Sequence, residues 1–197
     1  MKKRAVFFDR DGTLNDDVGY PKSFDQIRIY SFSYEAVRKA KEAGLLAVIV
    51  TNQSGIGRGL LTEKNLSDIH QKLRVSFAAQ NVFFDGIYFC PHYALSSSPR
   101  YRKDCICRKP EIGMAIRAAT DLQIDLKRSY VIGDKVEDIL FGINIQASPI
   151  LVLTGYGQEA RQKLEELQVR PSYIAQNVLE AVHWILDEEK KMDAVSE

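Results

Sequence analysis

Five short apolar runs, each ending on polar or reactive residues, constrain this chain more than any other feature. They are Val6-Phe7-Phe8, Leu45 to Val50, Ile87-Tyr88-Phe89, Tyr130-Val131-Ile132 and Ile150 to Leu153. β-branched and aromatic runs without polar alternation read as strands buried on both faces, as in a parallel sheet. Segments of helical character lie between them. Tyr34 to Ala40 precedes Gly44, a natural stop, and Thr62 can cap a helix through Leu66, Ile69 and Leu73. Pro110 suits the first position of a helix holding Ile112, Ala115, Ile116 and Ala119. Glu137 to Ile145, Glu159 to Leu167 and Val178 to Leu186 supply three more. Strand–helix alternation with right-handed crossovers predicts a three-layer α/β domain, a parallel sheet with helices on both faces.

In such a Rossmann-like sheet, ligands bind outside the carboxyl ends of the strands. Four runs deliver chemistry there: Asp9 after the first, Thr51-Asn52-Gln53 after the second, Cys90 after the third, Gly133-Asp134 after the fourth. If residues 9 to 11 stay extended, Asp9 and Asp11 point to one side, and Gly12 lets the chain turn away. Two carboxylates facing one way need a neutralising cation. Mg²⁺ with oxygen ligands and a substrate phosphate suits that need. One aspartate can then be a nucleophile and the other an acid–base group. The bland alternative is an Asp-Gly turn after a strand.

All three cysteines fall in one segment with a histidine: Cys90-Pro91-His92, then Cys105-Ile106-Cys107. The set suits a closed tetrahedral Zn²⁺ site, which is structural rather than catalytic. Buried thiols beside a surface histidine are the alternative. Residues 93 to 104 carry Pro99 and several charges and cannot bury a core alone, so zinc would pin the loop 90–107. Cys107 leads straight into Arg108-Lys109, so the metal would fix a lysine as well. Clustered thiols point to a reducing, cytoplasmic setting rather than a disulfide framework.

The formal net charge is +1 over 197 residues, which gives no footprint for nucleic acid or membrane. No apolar run approaches the ~20 residues of a membrane span. The expectation is one domain over residues 1–190, a charged, frayed tail at 191–197, and a monomer.

The string D-R-D-G-T at residues 9 to 13, Thr51 closing a strand, Lys109-Pro110, and Gly133-Asp134 with Asp138 resemble the four motifs of the haloacid-dehalogenase-like phosphatases, in order. The resemblance spans residues 9 to 138. It implies that Asp9 attacks phosphorus and forms an aspartyl-phosphate. Asp11 would give and take the proton, starting protonated because a neighbouring carboxylate raises its pKa. Mg²⁺ would bind the side chains of Asp9 and Asp134 and the carbonyl of Asp11. Thr51 and Lys109 would donate to phosphoryl oxygens. Asp138 is left as either a second ligand or an orienter of Lys109.

The stretches between Asp9 and Thr51, and between Thr51 and Cys90, are each largely used by one crossover helix, leaving no room for a separate cap domain. The cysteine/histidine loop, N-Q-S-G-I-G-R-G at 52–59 and C-R-K-P at 107–110 resemble the D-glycero-D-manno-heptose 1,7-bisphosphate phosphatases. That resemblance implies removal of the 7-phosphate from a small phosphorylated sugar on the way to nucleotide-activated heptose. Asp17, Gly19 and Tyr20, the segment Asn52, Gln53 and Ser54, and Arg108 would bind substrate, with Arg58 a cation for a second anionic group. Lys135 either reaches the site or faces solvent. The histidinol-phosphate phosphatases share D-R-D-G-T and a zinc loop, and the polynucleotide 3′-phosphatases share T-N-Q. A zinc-stabilised binding module would require a missing catalytic group, and none is missing. Ile29 to Ser33 departs from the family's Pro-Gly-Ala, which should alter the start of the first helix and not the chemistry. His70 reads as a helix-surface residue and His183 as part of the last helix.

Overall fold

The computed structural model describes residues 2–195. The five apolar runs form β1 (Ala5–Phe8), β2 (Leu46–Asn52), β3 (Gly86–Cys90), β4 (Tyr130–Gly133) and β5 (Ser148–Val152). A sixth strand, β6 (Tyr173–Ala175), joins the edge; three residues are too short to register as an apolar run. All pairings are parallel, in the order β3-β2-β1-β4-β5-β6. The chain winds outward from β1 one way and then from β4 the other. A crevice therefore opens beyond the carboxyl ends of these two strands.

β1 shows why the apolar run is continuous. Val6 and Phe8 point into one core layer and Ala5 and Phe7 into the other, all fully buried. Burying each phenylalanine contributes about 1.5–3 kcal/mol. The first layer is closed by α1 (Ser31–Glu42), α2 (Glu63–Ala78) and α6 (Val178–Val195), through Val37, Phe77 and Val182 among others. The second is closed by α3 (Gly113–Leu122) and α4 (Val136–Asn144), with α5 (Gly157–Glu166) packed beside α4. Among the described residues there is no separate cap domain, and no helix is long and apolar enough to cross a membrane.

Helix boundaries show where local signals are overruled. Thr62 caps α2 as expected, its side chain accepting from Asn65 N–H at 3.1 Å. Pro110 does not open α3, which begins at Gly113. A turn closed by Glu111 N–H on Arg108 C=O at 2.8 Å keeps the proline outside. Gly113 N–H meets the Ile106 carbonyl at 2.5 Å, and a Cβ there would lie 2.5 Å from that oxygen. Helix α1 starts at Ser31 after Tyr30, which makes no side-chain cap. The tail expected to fray at 191–197 instead continues α6 as far as Val195. Glu189 explains this: it is buried, pairs with Arg4 and accepts from Tyr130 O–H at 2.7 Å. Residues 196–197 of the expected tail lie outside the described residues.

Candidate active site

The carboxyl ends of β1, β2 and β4 border a cleft of about 400 Å³ lined by Asp9, Asp11, Thr51, Lys109 and Lys135, with Asp134 and Asp138 buried at its base. Lys109 is the hub. It is 3% exposed, and its ammonium donates to Asp9 Oδ1 at 2.7 Å, Asp138 Oδ1 at 2.5 Å and the Val50 carbonyl at 2.9 Å. Burial alone would lower its pKa, but the charges of Asp138 and Asp9 outweigh burial and raise it. It stays an ammonium.

Asp138 is engaged on both oxygens, since its Oδ2 accepts from Lys135 N–H at 3.0 Å. Of the two roles the sequence leaves open, these bonds match the orienter of Lys109. Asp134 is different. Its Oδ2 accepts from Tyr156 N–H at 2.8 Å, but its Oδ1 is buried with no partner among the described residues. The close approach depends on glycine. Gly12 and Gly155, both at positive φ, face Asp134 where an added Cβ would come within 2.1 and 2.2 Å of Oδ2.

Oxygens from Asp9, Asp134 and Asp138 lie within 4.8 Å of one another. Burial first, then the charges of Asp9 and Asp138, push Asp134 up to about 8. Burial, with Asp138 and Asp11 adding, pushes Asp9 up to about 6 against the pull of Lys109 and Lys135. Carboxylates forced toward protonation, one with an orphaned oxygen, form a donor set that suits a hard divalent cation. Asp9 and Asp134 are the residues free to hold it.

Asp11 differs from expectation. Its hydrogen-bond partners are donors, not carboxylates. Arg10, fully buried, donates from Nε to Oδ1 at 3.0 Å and from Nη2 to Oδ2 at 2.6 Å. Asn15 Nδ2 donates to Oδ1 at 3.0 Å and Gln53 Nε2 to Oδ2 at 2.9 Å. Burial disfavours its charged form, but the Arg10 charge and these bonds prevail and hold the carboxyl below its usual range. The free protein thus keeps Asp11 ionised, a correction to the expected protonated start. The residue between the two aspartates supplies the reason.

Two amides assigned to substrate by the sequence are engaged within the protein, although both line the cleft. Gln53 Nε2 also donates to Thr51 Oγ1 at 2.9 Å, so the Thr51 hydroxyl keeps its own proton free to donate. Asn52 grips the backbone of Lys109, accepting from its N–H at 3.0 Å and donating to its carbonyl at 3.1 Å. Ser54, Asp17, Gly19, Tyr20 and Arg108 also border the cleft. Arg108 Nη1 is buried there with no partner among the described residues. Lys135 lines the cleft too, 2.8 Å from Asp17 Oδ2. Arg58 stands apart, exposed and stacked over Tyr93 with its guanidinium 3.8 Å from the ring centroid.

Cys90, His92, Cys105 and Cys107 converge. Cys90 Sγ is 3.4 Å from Cys105 Sγ and 3.1 Å from Cys107 Sγ, and His92 Nδ1 is 3.2 Å from Cys107 Sγ. No disulfide links them. Three thiols and an imidazole gathered in this way match a closed, soft-donor metal site.

Besides Arg10 and Asn15 on Asp11, three more neighbours of the chemistry escaped the sequence reading. Tyr156 and Glu137 line the cleft. Nothing marks Tyr156 locally; it arrives from the loop after β5. His70 is buried, not on the helix surface, and its Nε2 lies 3.2 Å from Arg10 Nη1. Its spacing from Leu66 and Leu73 puts it on the inward stripe of α2, a signal that was legible. His183 is exposed on α6.

Residues 106–181 match the HAD-hydrolase-like family. The chain is 44% identical over 154 residues to the D-glycero-beta-D-manno-heptose-1,7-bisphosphate 7-phosphatase of Pasteurella multocida, covering 78% of this chain and 83% of that protein. It is 42% identical over 153 residues to the protein of the same name from Haemophilus influenzae, covering 77% and 83%. It superposes on a crystal structure of D,D-heptose 1,7-bisphosphate phosphatase from B. bronchiseptica complexed with magnesium and phosphate. That match has a TM-score of 0.81 at 29% identity and covers 94% of this chain and 99% of the other.

Proposed function

The chain belongs to the family of the D-glycero-beta-D-manno-heptose-1,7-bisphosphate 7-phosphatases, HAD-like hydrolases, and from that premise we propose that it hydrolyses the 7-phosphate of this sugar bisphosphate through a phosphoaspartate on Asp9. The observation that carries the chemistry is the clamp on Asp9: one oxygen held by a permanently charged Lys109, the other left to attack.

As the bond from Asp9 to phosphorus forms, the ester P–O bond breaks and the sugar oxygen leaves. Lys109 and the free Thr51 hydroxyl stabilise the phosphoryl oxygens in flight. A phosphate dianion arriving beside Asp11 raises its pKa, so the carboxyl takes up a proton from solvent as substrate binds. It gives that proton to the departing sugar oxygen. It then takes one from the water that attacks the phosphoaspartate, which frees Asp9 and phosphate, and it returns that proton to solvent as phosphate departs. Mg²⁺ on Asp9 and Asp134 would supply positive charge to the carboxylates and the phosphoryl group. Zn²⁺ at the cysteine/histidine cluster would hold the segment leading to Arg108 and Lys109. The orphaned Arg108 Nη1 supports a role in binding the phosphate that remains, as charge-assisted bonds to it would satisfy a buried donor. The clustered thiols support a reducing, cytoplasmic setting, and the reading is of a monomer.

Side-by-side kinetics on heptose 1,7-bisphosphate, histidinol phosphate and a 3′-phosphorylated oligonucleotide test the reading. The bisphosphate should give the highest kcat/KM. A higher value for histidinol phosphate would overturn the substrate assignment and leave the chemistry standing.

A further inference from the structure

Asp11 can protonate a leaving oxygen only if its carboxyl is aimed at one, and what aims it extends beyond the strands of the site. Arg10 is fully buried and grips both oxygens of Asp11. Two of its three nitrogens are used in that grip. The third, Nη1, lies 3.2 Å from His70 Nε2. A guanidinium has no acceptor, so Nε2 must be the acceptor and the ring proton sits on Nδ1. His70 is itself held by α2, on the buried stripe with Leu66, Ile69 and Leu73, with Phe89 edge-on at 5.9 Å.

We propose that His70 is a positioning residue for the acid–base step: acting through Arg10, it fixes the Asp11 carboxyl where the leaving oxygen needs its proton. The inference rests on the acid–base reading of Asp11 given above. A core histidine needs some partner when buried. Accepting from the one free nitrogen of the guanidinium that grips the acid gives this partner a consequence for the reaction. Without it, Arg10 keeps a buried donor unsatisfied and loses the contact that fixes its plane. The two bonds to Asp11 depend on that plane.

The leaving group separates positioning from general damage. An alkyl phosphate expels an alkoxide and needs the proton; a nitrophenyl phosphate expels a stable anion and does not. The variants are H70N, whose amide is too short to reach Arg10, and H70Q, whose carboxamide oxygen can take the place of Nε2. We expect H70N to lower kcat/KM for the heptose bisphosphate by about tenfold, a fraction of what a general acid supplies, and to leave kcat/KM for p-nitrophenyl phosphate within about twofold. H70Q should restore most of the loss. D11N, the control, should show the same selectivity more strongly. If D11N impairs both substrates equally, the acid–base reading fails and this inference with it. If D11N is selective while H70N matches the parent enzyme, or loses both substrates equally, the positioning role alone is refuted. Both His70 variants remain polar residues at one helical position, and their melting curves show whether each is folded before rates are compared.

Discussion

Lys109 and Asp138 meet at 2.5 Å in a pocket where neither side chain is more than 3% exposed. The pair spans 29 residues of sequence and joins the loop after the cysteine cluster to the first turn of α4. Removing one member of a buried pair strands the other. D138A should therefore lower unfolding free energy by about 3–5 kcal/mol, read by denaturant titration. The isosteric D138N should keep more of the stability but cut kcat by at least about tenfold with KM little changed, because the ammonium loses its aim.

Asn52 offers a cleaner separation. Both polar atoms of its amide are used on the Lys109 backbone. N52A should lower kcat by about tenfold and raise KM far less. A rise in KM with kcat preserved would instead make Asn52 a substrate ligand, and steady-state kinetics decides.

Stability should depend on pH through His70. Burial first, then the charge of Arg10, depresses its pKa from 6.5 to about 3 against the opposing pull of Asp11. Between those values the unfolded chain binds a proton that the native protein does not. Stability is thus complete above pH 6.5 and falls as pH drops. By pH 5 the loss from this one group is about 2 kcal/mol. In H70Q this component vanishes, so the stability difference between parent and variant should change by that amount between pH 8 and pH 5. A constant difference would contradict a buried neutral imidazole.

Purified protein should carry about one zinc per chain. Stripping it should lower the melting temperature, and kcat should fall as well, because Cys107 is two residues from Lys109. Zinc-free protein with full activity and an unchanged melting curve would remove the metal from the account.

Much of this site was readable because its residues follow uninterrupted buried strands. Asp9, Thr51 and Asp134 each stand at or just past a strand end, where the sheet alone determines that they converge. Lys109 was found by its motif and not by spacing. Its position depends on Asn52 and on a turn that excludes Pro110 from α3, and neither leaves a periodic trace. The state of Asp11 was misjudged because charge is set by neighbours in space. Arg10, given no role from its place between the two aspartates in sequence, folds back onto the second. The end of α6 was misjudged for a related reason: Glu189 is charged, yet it packs inward against Arg4 and Tyr130.

The central claim is that Asp9 itself becomes phosphorylated. D11N enzyme, whose second step lacks its base, can be mixed with p-nitrophenyl phosphate, whose leaving group needs no proton, then quenched in acid, reduced with borohydride and mapped peptide by peptide. The account predicts one modified residue, Asp9, accumulating within a turnover and absent from a D9N/D11N double variant. A quenched enzyme with no modified aspartate while phosphate is still released, or modification at a residue other than Asp9, would contradict it.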